Sequence, residues 1–463
     1  MKKGLIQIMF ANIISLVIGM LTNFILPKFL SFESYAAVKT YALYLTYAGF
    51  FSLGYNDGMY LKYGGKDINN IDEKGFSKNF INYFFIIFLM TIIVLIIGII
   101  MNDSIVIAFA FGLFSYNILG YLKSFYQATG EFKLYGNCLN FEKILIFILN
   151  LFFVFIIKSD NSNFYIGIQV ISGIVICIFL TLKLNRQINF LKYLEISFFE
   201  IKENIKSGFI LMLGNFSSGL LTGIDRWFVK IFLTTIDFAK YSFATGMENI
   251  ISVFTTPITI AMYNYFCKKK DVKDIKMFKN VALIWGTIVI ALAYPAKFIL
   301  NNFLKDYQSA NNIIFILFAT QIFNIIVKGI YVNIYKAQKM QRKYLTQMCL
   351  ILLLAAILDF IFIKLFNSML LIALATLITT IVWLLICEFG KNNQLRFSVK
   401  EYIYIFTLLI IYIVTGYLLD PVIGLIVYIA TLIVSSLLLM KSTIYYLKKY
   451  VMEIIDMKFK FAK

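Results

Sequence analysis

Histidine is absent from this 463-residue chain. Its absence removes histidine proton relays, zinc-hydrolase sites and histidine-based acid–base catalysis. The five cysteines (Cys138, Cys177, Cys267, Cys349 and Cys387) show no paired spacing, so neither disulfides nor zinc is expected. Charged residues make up 14% against about 25% in an ordinary soluble domain, and 61% of residues are hydrophobic. The chain therefore reads as an integral membrane protein. Also missing are a G-x-S-x-G elbow, a phosphate-cradling glycine loop, a Cys/His metal set, a D-x-D pair in a loop and a long external connection. We expect no enzyme, no cofactor and no folded extramembrane domain.

Apolar runs of about 20 residues, the length needed to cross roughly 30 Å of hydrocarbon as helix, recur along the whole sequence. Short alternating strands of a transmembrane barrel do not occur. Fourteen spans are predicted, at 5–27, 36–56, 80–101, 104–122, 140–157, 164–183, 208–231, 241–263, 280–300, 310–333, 345–365, 368–388, 401–419 and 421–440. Lys2 and Lys3 precede an apolar stretch that continues to Pro27 without a small-residue cleavage site, so it is expected to be the first span and not a signal peptide. The net charge of +19 comes from Lys and Arg in alternate loops, which indicates orientation and not nucleic-acid binding. It places both termini in the cytoplasm. The 184–207 segment mixes charges with aromatics and is expected to lie on the membrane surface as an amphipathic helix.

The two halves match one another. Asn12, Ser15, Gly19, Thr22 and Asn23 of the first span align with Asn215, Ser218, Thr222, Asp225 and Arg226 of the seventh. Tyr126, Ala128, Lys133 and Tyr135 likewise align with Tyr335, Ala337, Arg342 and Tyr344. Both matches connect spans six apart, which predicts a parallel repeat with an axis along the membrane normal. The expected fold is all-α, with about fourteen transmembrane helices in two six-helix lobes around a central cavity, plus two C-terminal helices. The lobes are set at 1–190 and 191–395, and the additional helix pair with its basic tail at 396–463.

Steps of three and four residues keep the matched positions on one helix face. Such stripes could line a cavity, or could simply let helices pack closely. An Arg within a span costs about 2.5–3.5 kcal/mol on insertion scales, which favours a watery or polar surrounding for Arg226. Gln321, Asn324, Lys328 and Tyr331 form a similar stripe on the tenth span. Lys328 and Lys39 lie near span ends, where snorkelling to the interface competes with a cavity role. Asp57, Glu142, Glu248 and Asp359 are the acidic candidates. Of these, Asp359, Glu248 and Asp57 are carried as ion-coupling candidates, the alternatives being structural pairing for Asp359 and Glu248 and a solvated helix end for Asp57. Tyr and Phe are read mainly as lipid-facing or interfacial residues.

Asp225-Arg226 followed by Lys240-Tyr241-Ser242-Phe243-Ala244 resembles the seventh-to-eighth helix signature of bacterial polysaccharide flippases. N-x-x-S in the first span, Leu26-Pro27-Lys28-Phe29-Leu30-Ser31 with Tyr35, and G-Y-N-D-G after the second span are similar as well. Lys240 stands where that family usually has Gly, and Asn23 and Lys39 give the first half less charge than the family often carries. The resemblance implies membership in the superfamily of multidrug, oligosaccharidyl-lipid and polysaccharide exporters, working by alternating access. It further implies a polyprenyl-diphosphate-linked oligosaccharide moved across the bacterial plasma (inner) membrane for O-antigen or capsule assembly, beside membrane lipids, a polysaccharide polymerase and chain-length machinery. Transport would draw on an ion gradient or the membrane potential. The substrate set expected is Arg226, Asp225, Lys328, Asn215, Ser218, Thr222, Asn12, Ser15, Asn23, Asn324 and Lys39, with the cationic function concentrated on the C-terminal lobe. A multidrug exporter of the same fold would instead need an acidic cavity, a polymerase or ligase a large catalytic external loop, and a scaffold no Arg226 at all.

Overall fold

A computed structural model describes residues 2–448 apart from 65, 130, 194, 269–270, 339, 391–394 and 447; the side chains of residues 2–13, 15–16, 69, 132–139, 341 and most of 252–268 lie outside the description. The first part of the chain forms α1 (Lys2–Phe29), α2 (Phe32–Thr46), α3 (Tyr55–Tyr63), α4 (Glu73–Ile100), α5 (Ser104–Ala128), α6 (Phe132–Leu151), α7 (Ser162–Ile188), α8 (Phe198–Leu221) and α9 (Ile224–Phe232). The second part forms α10 (Thr235–Lys268), α11 (Val272–Val289), α12 (Ala293–Phe303), α13 (Asn311–Ile326), α14 (Val332–Ala337), α15 (Gln341–Phe366), α16 (Met369–Glu388), α17 (Val399–Leu418) and α18 (Pro421–Leu439).

Among the described residues ten helices are long and apolar enough to cross a membrane, or eleven if α8 and α9 count as one bent span. The remaining expected spans, 5–27, 36–56 and 241–263, fall on α1, α2 and α10. Polar caps start many of the helices: Asp72, Asp103, Ser197 and Asp271 accept hydrogen bonds from the first free backbone N–H groups of α4, α5, α8 and α11. Ser398 and Glu401 form a capping box on α17.

Three expectations are corrected by local structure. The predicted 36–56 span is not continuous: α2 gives way to a 3-10 turn over Ala48–Ser52, then Leu53 and Gly54 at positive φ (52° and 84°), before α3 begins. The Asn117 amide of α5 donates to the Ala48 carbonyl at 2.9 Å and so ties the break to α5. The predicted 208–231 span bends by 50° between α8 and α9. The 184–207 segment is no separate surface helix, because α7 runs on to Ile188 and stops at Asn189 in the left-handed conformation, and α8 starts at Phe198 and continues into the apolar stretch.

The chain divides into two compact units, 1–226 and 227–463. In the first, α1 packs on α6, α4 on α5, and α5 on α7, and α3 lies along α8. The α3–α8 crossing brings backbones together: a Cβ on Gly208 would collide with the Gly54 carbonyl and the Gly58 amide, and one on Gly58 with the Asn204 carbonyl. Only glycine permits that approach. This contact explains why α8 belongs to the first unit by compactness, although the sequence repeat divides the chain at 190.

In the second unit α13 packs on α10 and α16, and α15 on α16; α17 pairs with α18, and α13 and α12 support that pair. Lys297 donates to the carbonyls of Gly416 and Leu419 at 2.7 and 3.0 Å, closing the C-terminal end of α17. Tyrosines do more here than form an interfacial belt. Tyr35, Tyr41, Tyr55, Tyr83, Tyr121, Tyr126, Tyr241, Tyr294 and Tyr404 are among the largest fully buried side chains. Their rings fill the core, and several tyrosine hydroxyls have internal partners: Tyr55 donates to the Asn79 carbonyl at 3.0 Å, Tyr121 to Asn79 Oδ1 at 2.8 Å and Tyr428 to the Thr287 carbonyl at 2.8 Å, while the Tyr294 and Thr415 hydroxyls share a bond of 2.6 Å.

Candidate functional site

Two polar regions lie within the first unit. The break between α8 and α9 creates one of them. Thr222 ends α8, buried Gly223 follows, and α9 opens with Asp225 and Arg226. Asp225 is 5% exposed, and its Oδ1 accepts from the Arg226 backbone N–H at 2.7 Å, as a carboxylate at a helix start should. The Arg226 guanidinium turns back over Gly223 towards the Thr222 carbonyl, beside the Tyr47 ring. Its Nε–H finds no hydrogen-bond partner among the described residues.

Lys39 of α2 completes this region. Its amine donates to Asn23 Oδ1 of α1 at 2.8 Å and lies 5.1 Å from the Tyr35 ring centre. It is close enough to Arg226 for the two positive charges to repel. Neither cation forms an ion pair among the described residues. The sequence placed the cationic function on the C-terminal lobe, but Arg226 groups with Lys39 and Asn23 inside the first unit. Sequence distance concealed this, since the bend at Gly223 is what turns Arg226 towards α2.

The second region is a cavity of about 480 Å³ lined by residues of α2, α3, α5, α6 and α8 and of the turn between α2 and α3. Asp57, in the first turn of α3, accepts from the Asn215 amide at 3.1 Å, and Asn56 donates to the Ser124 hydroxyl at 3.3 Å. Lys123 and Glu142 form an ion pair across the same cavity at 2.6 Å, which leaves Asp57 as its uncompensated charge. Phe50 and Phe216 contribute an aromatic wall, their ring centres 4.4 Å apart. Tyr47 packs edge-on against Phe216 at 6.2 Å and sets its hydroxyl beside Gly223, so one aromatic group separates the cavity from the cation pair.

The second unit has its own cluster. Gln321 donates to Glu248 Oε1 at 2.7 Å, Thr320 does so at 3.3 Å, and Asn324 reaches Thr320 at 3.4 Å. Lys328, in a π-helical turn over Val327–Tyr331, feels the Glu248 charge. Further along, Lys279 and Glu388 form an ion pair at 2.9 Å with both side chains fully buried. Phe397 covers the amine with its ring face and donates its backbone N–H to Glu388 Oε2, and Tyr331 donates to Oε1.

The structure thus bonds Lys39 to Asn23, directs Arg226 to Thr222, bonds Asn215 to Asp57 and links Asn324 through Thr320 to Glu248, with Lys39 feeling the charge of Arg226 and Lys328 that of Glu248. Ser218 is half-exposed on α8, and Asp359 is 1% exposed on α15, which packs against α16. The side chains of Asn12 and Ser15 lie outside the described residues. Sequence reasoning missed Asn56, Lys123, Ser124 and Tyr47 around the cavity. It also missed the Lys279–Glu388 pair, because both residues sit at span ends that hydropathy assigns to the interface. Asn56 alone carried a visible signal, in G-Y-N-D-G.

No protein-family model and no curated protein matches the sequence. Among solved structures, the chain is similar to the lipid II flippase MurJ in an inward closed conformation, with a TM-score of 0.68 and 16% identity over 96% of this chain and 100% of that one. It is similar also to an inward-facing multidrug resistance MATE transporter of the MOP superfamily, with a TM-score of 0.54 and 14% identity over 81% of this chain and 97% of that one. A MOP superfamily transporter from Pyrococcus furiosus, described as having a binding pocket of reversed polarity, gives 0.51 and 13% over 83% and 95%. The chain is an all-α, multi-pass membrane protein with the fold of MOP-superfamily transporters.

Proposed function

We propose that this protein is a flippase for a polyprenyl-diphosphate-linked oligosaccharide, carrying it from the cytoplasmic to the outer leaflet of a bacterial plasma membrane by alternating access. One observation carries the reading. Lys39, held by the neutral Asn23 amide at 2.8 Å, feels the like charge of Arg226 within the first unit, and neither cation has a carboxylate partner among the described residues. Two like charges so placed are relieved by an anion, and a guanidinium offers a diphosphate paired N–H donors in a plane. The apolar tail stays in lipid, so the protein need supply no sealed apolar chamber. Assembly of a surface polysaccharide is the process that consumes such a product, and the Glu248–Gln321–Lys328 cluster is the place we assign to ion coupling in the second unit. The MurJ likeness supports the fold that this mechanism needs, and the substrate assignment rests on the cation pair.

A second reading follows from Asp57 in the 480 Å³ cavity: an exporter of small organic cations, for which a net acidic chamber is suited. The experiment is translocation of a fluorescent polyprenyl-diphosphate oligosaccharide in proteoliposomes. Arg226→Ala and Lys39→Ala are expected to abolish or strongly reduce it, whereas Arg226→Lys keeps part of it. Full transport by Arg226→Ala at normal protein density would sink the flippase proposal, and Asp57-dependent ethidium efflux would install the second.

A further inference from the structure

The geometry points to a recognition site for an uncharged sugar in the cavity between α3, α5 and α8, adjoining the Lys39–Arg226 pair. This inference rests on the flippase reading and specifies which part of the substrate goes where.

The volume of about 480 Å³ falls within the roughly 300–1,000 Å³ of small-molecule sites. The lining suits a sugar on three counts. Asn56, Ser124, Gln127 and Asn215 supply neutral donors and acceptors from three helices. Asp57 has Asn215 as its only side-chain donor among the described residues, so its carboxylate retains capacity for ligand hydroxyls. Phe50 is 38% exposed beside Phe216 and presents an aromatic face against which the C–H face of a pyranose can lie.

Charge then selects among sugars. Lys123 is taken by Glu142 at 2.6 Å, so Asp57 sets the sign of the cavity. A carboxylate beside Asp57 would be repelled and desolvated together, which excludes a uronic or sialic acid at this position, whereas hydroxyl and acetamido groups are accepted. The cation pair has the opposite sign and lies on the other side of the Tyr47–Phe216 contact. A diphosphate at Lys39 and Arg226 therefore puts the sugar attached to it next to the cavity. The site reads the reducing-end sugar, and it does so by rejecting acidic ones.

The full-length protein in lipid nanodiscs is titrated with three probes: farnesyl diphosphate, the same diphosphate bearing one N-acetylglucosamine, and the same bearing one glucuronic acid. The unmodified protein is expected to bind the N-acetylglucosamine probe at least tenfold more tightly than the bare diphosphate, and the glucuronic acid probe more weakly than either. Asp57→Asn, nearly isosteric, removes the tenfold preference and lifts the rejection of glucuronic acid. Asn56→Ala keeps the carboxylate and so loses preference without admitting glucuronic acid. Arg226→Ala weakens all three probes by one common factor. If Asp57→Asn leaves the three affinities in their original ratio, the sugar site is wrong while the diphosphate reading stands. If none of the probes binds, both fall. Asp57-dependent binding of tetraphenylphosphonium, with the bare and sugar-bearing probes bound equally, makes the cavity an organic-cation site and overturns the inference.

Discussion

Lys39 in the first unit and Lys279 in the second are both amines within a membrane chain, and their surroundings differ in kind. Lys279 is fully buried with a carboxylate at 2.9 Å, a ring over its face and further donors on the same carboxylate from Phe397 and Tyr331. Lys39 has a neutral amide oxygen at 2.8 Å, a ring at 5.1 Å and a second cation as its electrostatic neighbour. The first arrangement neutralises its charge internally and ties α11 to α16 and to the segment before α17. The second leaves positive potential to spare. Burial with a full complement of partners marks a structural charge, and a charge stabilised only by neutral groups beside a like charge marks one kept for a ligand.

That contrast can be broken by experiment. The largest effect is expected from Glu388→Ala, which strands the Lys279 amine in the interior at a cost of about 3–5 kcal/mol. It should lower the unfolding temperature of the purified protein sharply, and Lys279→Met with Glu388→Leu should recover much of the loss; an unchanged melt for Glu388→Ala would show that the pair is not structural. Arg226→Ala should leave the melt in place and reduce glycolipid translocation roughly 10- to 100-fold, in line with about 1.5–3 kcal/mol for a hydrogen bond to a charged group. A large fall in stability instead would put Arg226 in the same class as Lys279 and erase the distinction.

Gly208→Ala tests the scaffold that holds α8 beside α3. Forcing a methyl group into the backbone crossing should cost about 1–3 kcal/mol, read as a lower melting temperature, with Gly219→Ala on the same helix as a control that meets nothing within 4 Å. The smallest effect belongs to the exposed Glu195, bound to Lys78 at 2.5 Å and lying 3.8 Å from Lys74. The hydrogen bond from Lys78, followed by the charge of Lys74, holds its carboxyl below the usual carboxylate range. Its contribution is therefore complete near neutral pH and is lost only as pH falls through the lowered value. Glu195→Gln should shift the melt slightly at pH 7 in low salt, and not at all in high salt or at strongly acid pH; a shift that persists in high salt would mean the linker is held by more than screened surface charge.

The membrane class, the helical content and most span positions could be read from hydropathy, because an apolar run long enough to cross a bilayer has few other stable solutions; the break in 36–56 and the bend in 208–231 could not. Arg226, Lys39, Asn23 and Asp57 were legible as candidates for the same reason: polar groups in apolar runs are costly wherever they end up. Their partners were not legible. Nothing in the sequence tells that Thr222-Gly223 bends the chain by 50° or that Arg226 then faces α2, since that direction depends on Tyr47 and on the α3–α8 glycine crossing. Lys279 and Glu388 looked like ordinary interfacial charges, and only their packing with Phe397 and Tyr331 makes them an interior pair. The sequence by itself determined which segments must leave water and which side chains would be expensive there. Tertiary structure alone decided which of those charges were matched and which, among the described residues, were left without an opposite charge, because pairing depends on helix direction, close backbone approach and local bends that a one-dimensional pattern does not encode.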